Sequence, residues 1–149
     1  MIYLIDSNIY IRAFNDIAFG PVFREFHRKH LPRLILSAVV VHELLIGAHD
    51  SAQERALYRG IVEPFRSRRR LHVPERQTWE TAASVDRHLR KRKNLVSKLQ
   101  RRSFFNDILI AVSARERGAT IVTENQNDFR LINEVLEFKY VGPWPGSAE

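Results

Sequence analysis

Apolar residues in this chain come in short blocks closed by polar ones, with helical spacing between the blocks. Ile2, Tyr3, Leu4 and Ile5 form a run stopped by Asp6-Ser7-Asn8, which predicts a buried first strand over residues 1–5. Residues 7–14 then read as a short helix capped by Ser7 or Asn8, Gly20-Pro21 interrupts, and residues 22–30 predict a second helix. A second strand at residues 34–36 leads into a helix capped by Ser37 and carrying Glu43. Asp50-Ser51 breaks it, and helical spacing resumes over residues 53–65. Residues 71–73, closed by Pro74, predict a third strand. Residues 75–89 are amphipathic through Trp79, Ala82, Ala83 and Val85, and the helix is expected to run on through a basic segment to Leu99. A helix from Phe104, stopped by Gly118, a fourth strand at residues 119–123, a loop at residues 124–128 and a last strand at residues 137–141 complete the series, with Pro143-Trp144-Pro145 ending regular structure.

Strands alternating with helices predict an α/β chain: three α/β/α layers around a central parallel sheet of four or five strands. Asp6, Ser37 and Thr123 then fall at strand carboxyl ends, and Asn125 and Asp128 emerge on the same edge. In open parallel sheets that edge is where ligands bind.

The pattern is broken by acids set against apolar positions. Asp6 ends the first strand, Glu43 has Val39 and Val40 behind it and Ile46 and Gly47 ahead, Asp107 has Ile110, Ala111 and Ala114 on its helical face, and Asp128 follows the fourth strand. A carboxylate against apolar surface costs several kcal/mol unless something compensates it. Separate explanations exist for three of them: Asp6 as a helix cap, Glu43 neutralised by a basic side chain such as Arg12, Asp107 favoured by a helix dipole worth about 0.3 to 1 kcal/mol. One explanation covers all four, a shared Mg²⁺ or Mn²⁺ ion, since hard cations take oxygen ligands.

Composition narrows the choice. The 149 residues, 44% hydrophobic, suit one domain spanning residues 1–149. With no cysteine, disulfides, thiolate zinc sites and cysteine nucleophiles are excluded; the six histidines form no H-x-x-x-H pair. No run reaches the roughly 20 apolar residues of a membrane span, and no leader is visible, so a cytoplasmic location is expected. The net charge of +7 is uneven: residues 66–102 hold thirteen Lys and Arg against Glu75, Glu80 and Asp86, while the rest of the chain is net acidic. Arg90, Lys91, Arg92, Lys93, Lys98, Arg101 and Arg102 are the candidates for contact with a phosphate backbone; a solvated helical face is the plainer account of such runs. His42 and His49 flank Glu43 as candidate proton donors or packing residues, and Trp79, Phe104 and Phe105 are candidates for base stacking or for the core.

Four segments together resemble the PIN-domain nucleases, most closely the VapC-type toxins of toxin–antitoxin pairs. They are Ile2-Tyr-Leu-Ile-Asp6-Ser7-Asn8, the helix from Ser37 through Glu43 to Ala48, Asn106-Asp107-Ile-Leu-Ile-Ala111, and Gly118-Ala-Thr-Ile-Val-Thr123-Glu-Asn125-Gln-Asn-Asp128-Phe129. The resemblance implies a PIN-like fold and a Mg²⁺- or Mn²⁺-dependent endoribonuclease with Asp6, Glu43, Asp107 and Asp128 as catalytic metal ligands. Ser7, Thr123 and Asn125 would hold those carboxylates in place. It also implies an RNA substrate, a protein antitoxin whose peptide occupies the active-site groove, and a homodimer. Where many of these nucleases carry an acid two residues after the threonine, this chain has Asn125. The alternatives are an RNA-processing or DNA nuclease of the same fold, or a nucleic-acid-binding module without catalysis.

Overall fold

A computed structural model describes residues 1–143, the side chains of Lys93 and Val96 excepted; Trp144 and Pro145, expected to end regular structure, lie outside the described residues. Five parallel strands form one sheet: β1 (Ile2–Ile5), β2 (Leu34–Ser37), β3 (Leu71–His72), β4 (Ala119–Val122) and β5 (Lys139–Val141), in the order β3-β2-β1-β4-β5. Registers such as Tyr3 opposite Leu34 and Ile5 opposite Val122 align the strand ends. Leu4, Leu36, Ile121 and Val122 are wholly buried, as strands covered on both faces require.

The first half of the chain supplies α1 (Ser7–Asn15), α2 (Phe19–His30), α3 (Ala38–Ile46), α4 (Ser51–Leu57) and α5 (Glu63–Ser67); the second supplies α6 (Arg76–Arg90), α7 (Val96–Leu99), α8 (Arg102–Arg117) and α9 (Gln126–Asn133). Strand order reverses direction after β3, so right-handed crossovers put α1–α5 over one face of the sheet and α6–α9 over the other. This is the three-layer arrangement of a PIN-like α/β/α fold.

Departures from the sequence pattern have local causes. Gly20-Pro21 does not interrupt: Pro21 sits in the first turn of α2, where its missing N–H has no helical partner to lose. The helix expected over residues 53–65 widens into a π turn at Tyr58–Val62, because the Pro64 ring would meet the Gly60 carbonyl in α geometry. The amphipathic helix ends at Arg90 instead of running to Leu99. A straight helix would turn Leu95 and Leu99 away from the face that buries Leu89, and the break lets all three reach the core. The loop expected at residues 124–128 gives way at Gln126 to α9, so Asp128 lies in that helix's first turn, with Phe129 and Ile132 buried beneath it. The strands β3 and β5 are shorter than expected. Gly118, at φ +62°, ends α8 in the left-handed conformation and lets the chain enter β4 at once.

Candidate active site

The direction of chain connection reverses between β1 and β4, which opens a crevice at their carboxyl ends. Asp6 leaves β1 there and Thr123 leaves β4, beside each other: the Asp6 amide donates to the Val122 carbonyl at 3.0 Å, and Thr123 Oγ1 donates to Asp6 Oδ2 at 2.8 Å. Asp6 is only 3% exposed. Its other oxygen accepts from the Ser7 amide at 2.8 Å, so the same carboxylate caps α1. The cap and the site are therefore not competing accounts of Asp6.

Ser7 links a second acid. Its hydroxyl donates to Glu43 Oε1 at 3.2 Å, and Asn106 on α8 also bonds Glu43. Glu43 is half-buried: Val39 and Val40 behind it are buried as expected, but Ile46 ahead of it is exposed. Arg12 does not neutralise it. That guanidinium pairs with Glu124 at 2.5 Å and Asp16 at 3.5 Å.

Thr123 and Asn125 link the other two. Thr123 Oγ1 accepts from the Asn125 amide at 2.9 Å and from Asn8 Nδ2 at 3.2 Å, which with its bond to Asp6 uses its one donor and both lone pairs. Asn125 Nδ2 donates to Asp107 Oδ2 at 2.9 Å and to Asp128 Oδ2 at 3.0 Å. Asp107, five residues into α8, is buried at 6% exposure; Asp128 is partly exposed. One chain of hydrogen bonds, through Ser7, Thr123 and Asn125, thus joins all four acids. Replacing Thr123 by Val leaves three polar partners unbonded and is expected to cost roughly 2 to 3 kcal/mol, read as a drop in melting temperature. Thr123→Ser keeps the hydroxyl and should melt within a degree or two of wild type; equal losses in both would assign the effect to packing.

The electrostatics follow from burial. The Asp107 carboxyl is pushed up to about 9, chiefly by burial and then by Asp6, Glu43 and Asp128, with the Asn125 hydrogen bond working the other way. Glu43 is pushed up to about 6 by burial and by Asp6, against bonds from Ser7 and Asn106. Asp6 is raised as well, by burial outweighing its bonds from Thr123 and Ser7. Among the described residues no Lys or Arg forms an ion pair with Asp6, Glu43 or Asp107; their hydrogen bonds come from hydroxyls, amides and backbone N–H. Nor, among those residues, do three such side chains already form a finished cation cage. The donor set nonetheless fits a hard divalent cation: all-oxygen, anionic, mutually repelling and short of positive charge.

The basic candidates are divided. Lys98 does not stand out toward solvent; its ammonium meets Asp128 Oδ1 at 2.5 Å. Arg90 pairs with Asp86 at 2.7 Å and Arg92 pairs with Glu134. Lys91, Arg101 and Arg102 are exposed, and the side chain of Lys93 lies outside the described residues. His42 and His49 are exposed rather than packed. Phe104 is core at 0% exposure, whereas Trp79 is 50% exposed and rests on Phe105 with ring centroids 5.9 Å apart. Sequence reasoning gave Asn8 and Asn106 no part in the site; their only signal was a polar residue two positions after Asp6 and one directly before Asp107.

No curated protein matches the chain. Among solved structures it is similar to FitAB bound to IR36 DNA fragment, at 16% identity and a TM-score of 0.70 over 97% of this chain and 96% of that one. VapBC2 from Rickettsia felis bound to a promoter DNA fragment is similar at 22% identity and 0.63, over 97% and 100%. DNA-bound VapBC from Salmonella typhimurium is similar at 26% and 0.62, over 95% and 98%. A family model for the PIN domain matches residues 3–135. On that match the chain belongs to the PIN-domain family, whose members are generally nucleases, and its shape is of the VapC type.

Proposed function

We propose that this protein is a Mg²⁺- or Mn²⁺-dependent endoribonuclease that acts as the toxin of a toxin–antitoxin pair. The observation that carries the reading is the gathering of Asp6, Glu43 and Asp107 at the β1/β4 crevice, buried or half-buried, with no Lys or Arg paired to them among the described residues. A binding module without catalysis gains nothing from that cost.

In this reading Asp6 and Asp107 are the principal ligands and Glu43 a ligand directly or through water. A bound divalent ion supplies an activated water and neutralises charge on the phosphodiester's non-bridging oxygens. Ser7, Thr123 and Asn125 hold the carboxylates in place by hydrogen bonds, which lowers the reorganisation that the reaction requires. Asp128, paired with the Lys98 ammonium, orients water through the lone pairs that Lys98 and Asn125 leave over. Exposed Lys91, Arg101 and Arg102 receive the RNA backbone. Arg101→Ala with Arg102→Ala is expected to weaken RNA binding and flatten its dependence on salt by close to two phosphate contacts, measured as the slope of log K against log salt. An unchanged slope would remove that role.

The antitoxin is proposed because the similar structures are toxin–antitoxin complexes. Besides the active-site groove expected to receive it, a second groove of about 990 Å³, lined by none of the four acids but by Ile11, Phe14, Phe23, Leu57 and Ile61 with Arg24 and Arg28 at its side, offers an apolar and acidic segment a seat. The test is cleavage of single-stranded and transfer RNA with Mn²⁺, its loss in chelator, a search for a small open reading frame immediately upstream, and inhibition of the cleavage by the product of such a frame. RNA left intact under all conditions overturns the enzyme; cleavage that this product leaves untouched overturns the pairing. A cytoplasmic site of action and a homodimer remain part of the proposal. Among the described residues no helix is long and apolar enough to cross a membrane.

A further inference from the structure

The acid farthest along the chain differs from the other three in already having a cation. Lys98 Nζ lies 2.5 Å from Asp128 Oδ1. The pair is sheltered, with the lysine side chain 28% exposed and the aspartate 13%, so water screens it little. The ammonium also lies 5.8 Å from the centroid of the buried Phe104 ring, a second attraction that fixes its place. Its position comes from the fold: the chain breaks after Arg90, Leu95 and Leu99 anchor the short α7 in the core, and Lys98 between them is turned toward the first turn of α9.

Asn125 closes the other side. Its single Nδ2 donates to Asp107 Oδ2 and to Asp128 Oδ2 at once, so a neutral donor stands between the two acids. Both oxygens of Asp128 are thereby engaged, one by an ammonium and one by an amide. Two-ion phosphodiester sites need anionic ligands for each ion and hold the ions roughly 3.5 to 4 Å apart. Here, among the described residues, the three of these four carboxylates without a cationic partner are those of Asp6, Glu43 and Asp107. They amount to ligands for one ion.

We propose that the site takes one divalent ion, at Asp6, Glu43 and Asp107, and that the Lys98 ammonium takes the part of a second cation beside Asp128. The inference rests on the nuclease reading above and deepens it. Lys98 acts here as a positioning residue: it occupies one oxygen of Asp128, balances the carboxylate's charge and leaves no anionic seat for another metal. An ammonium offers charge and hydrogen bonds but no open coordination position, so activation of water falls to the single ion.

Titration of the metal-stripped full chain with Mn²⁺ decides the matter, with free Mn²⁺ followed by electron paramagnetic resonance and heat by calorimetry. Wild type should bind one ion per chain, Lys98→Arg one, and Lys98→Met two. Two ions in wild type, or one in a folded Lys98→Met, would overturn the lysine's part. If Lys98→Met fails to fold, the counts for wild type and Lys98→Arg still decide. No Mn²⁺ bound by wild type at millimolar concentration would bring down the nuclease reading along with this one, whereas a count of two would bring down this one alone.

Discussion

Asp107→Asn is expected to abolish Mn²⁺-dependent RNA cleavage, lowering its rate by at least about 10³-fold. The substitution changes one atom, and the new amide oxygen can still accept from Asn125, which bonds Asp107 Oδ2 at 2.9 Å in the native site. What it removes is one anionic ligand among three. A metal ion contributes several kcal/mol of charge stabilisation in the transition state, and about 4 kcal/mol corresponds to a factor near 10³. Asp6→Asn should match it, with the added signature that millimolar Mg²⁺ or Mn²⁺ raises the melting temperature of wild type but not of the variant. Cleavage retained within tenfold in both variants would mean that the reaction takes place elsewhere on the molecule.

The same substitution should make the metal-free protein more stable. In chelator at pH 8, Asp107→Asn is expected to melt roughly 5 °C above wild type, from a gain of about 2 kcal/mol. The sign follows from the carboxyl's position at about 9 in the fold against 3.8 for an ordinary aspartate. Between those values the folded chain holds a proton that the unfolded chain has released, so wild-type stability falls as pH rises from about 4 to 9. Glu43, at about 6 against 4.5, adds to the fall over the lower part of that range. The asparagine side chain of the variant carries no such proton. Its melting temperature in chelator should depend less on pH than that of wild type, and the two curves should converge toward pH 4. Parallel curves would show that Asp107 is not held against its own charge. A residue whose loss stabilises the fold and destroys the activity is one retained for chemistry.

Much of this was legible because parallel sheets obey a simple geometry. Once residues 1–5 and 119–123 read as strands, Asp6 and Thr123 fell at one edge of the sheet, and the strand order puts them side by side. Glu43 and Asp107 were visible as acids among apolar helical neighbours. The partners of those acids were not visible, since a hydrogen bond such as Ser7 to Glu43 spans 36 positions and depends on how α1 and α3 meet. Lys98 was hidden for a related reason. As part of an uninterrupted basic helix it reads as one more solvent cation; only the burial of Leu95 and Leu99, which breaks that helix, brings it to Asp128. The first turn of α9 was missed because Asn127 and Asp128 are poor helix formers, and the packing of Phe129 and Ile132 overrides them.

The outermost strands of the sheet, two residues in β3 and three in β5, have a consequence for how copies meet. A strand that short exposes too few unpaired backbone groups to template another chain, and the Arg69-Arg70 charges directly before β3 repel a like neighbour on that side. Fibril growth and edge-to-edge sheet extension are thereby disfavoured, and any pairing of two such molecules is left to their helical surfaces.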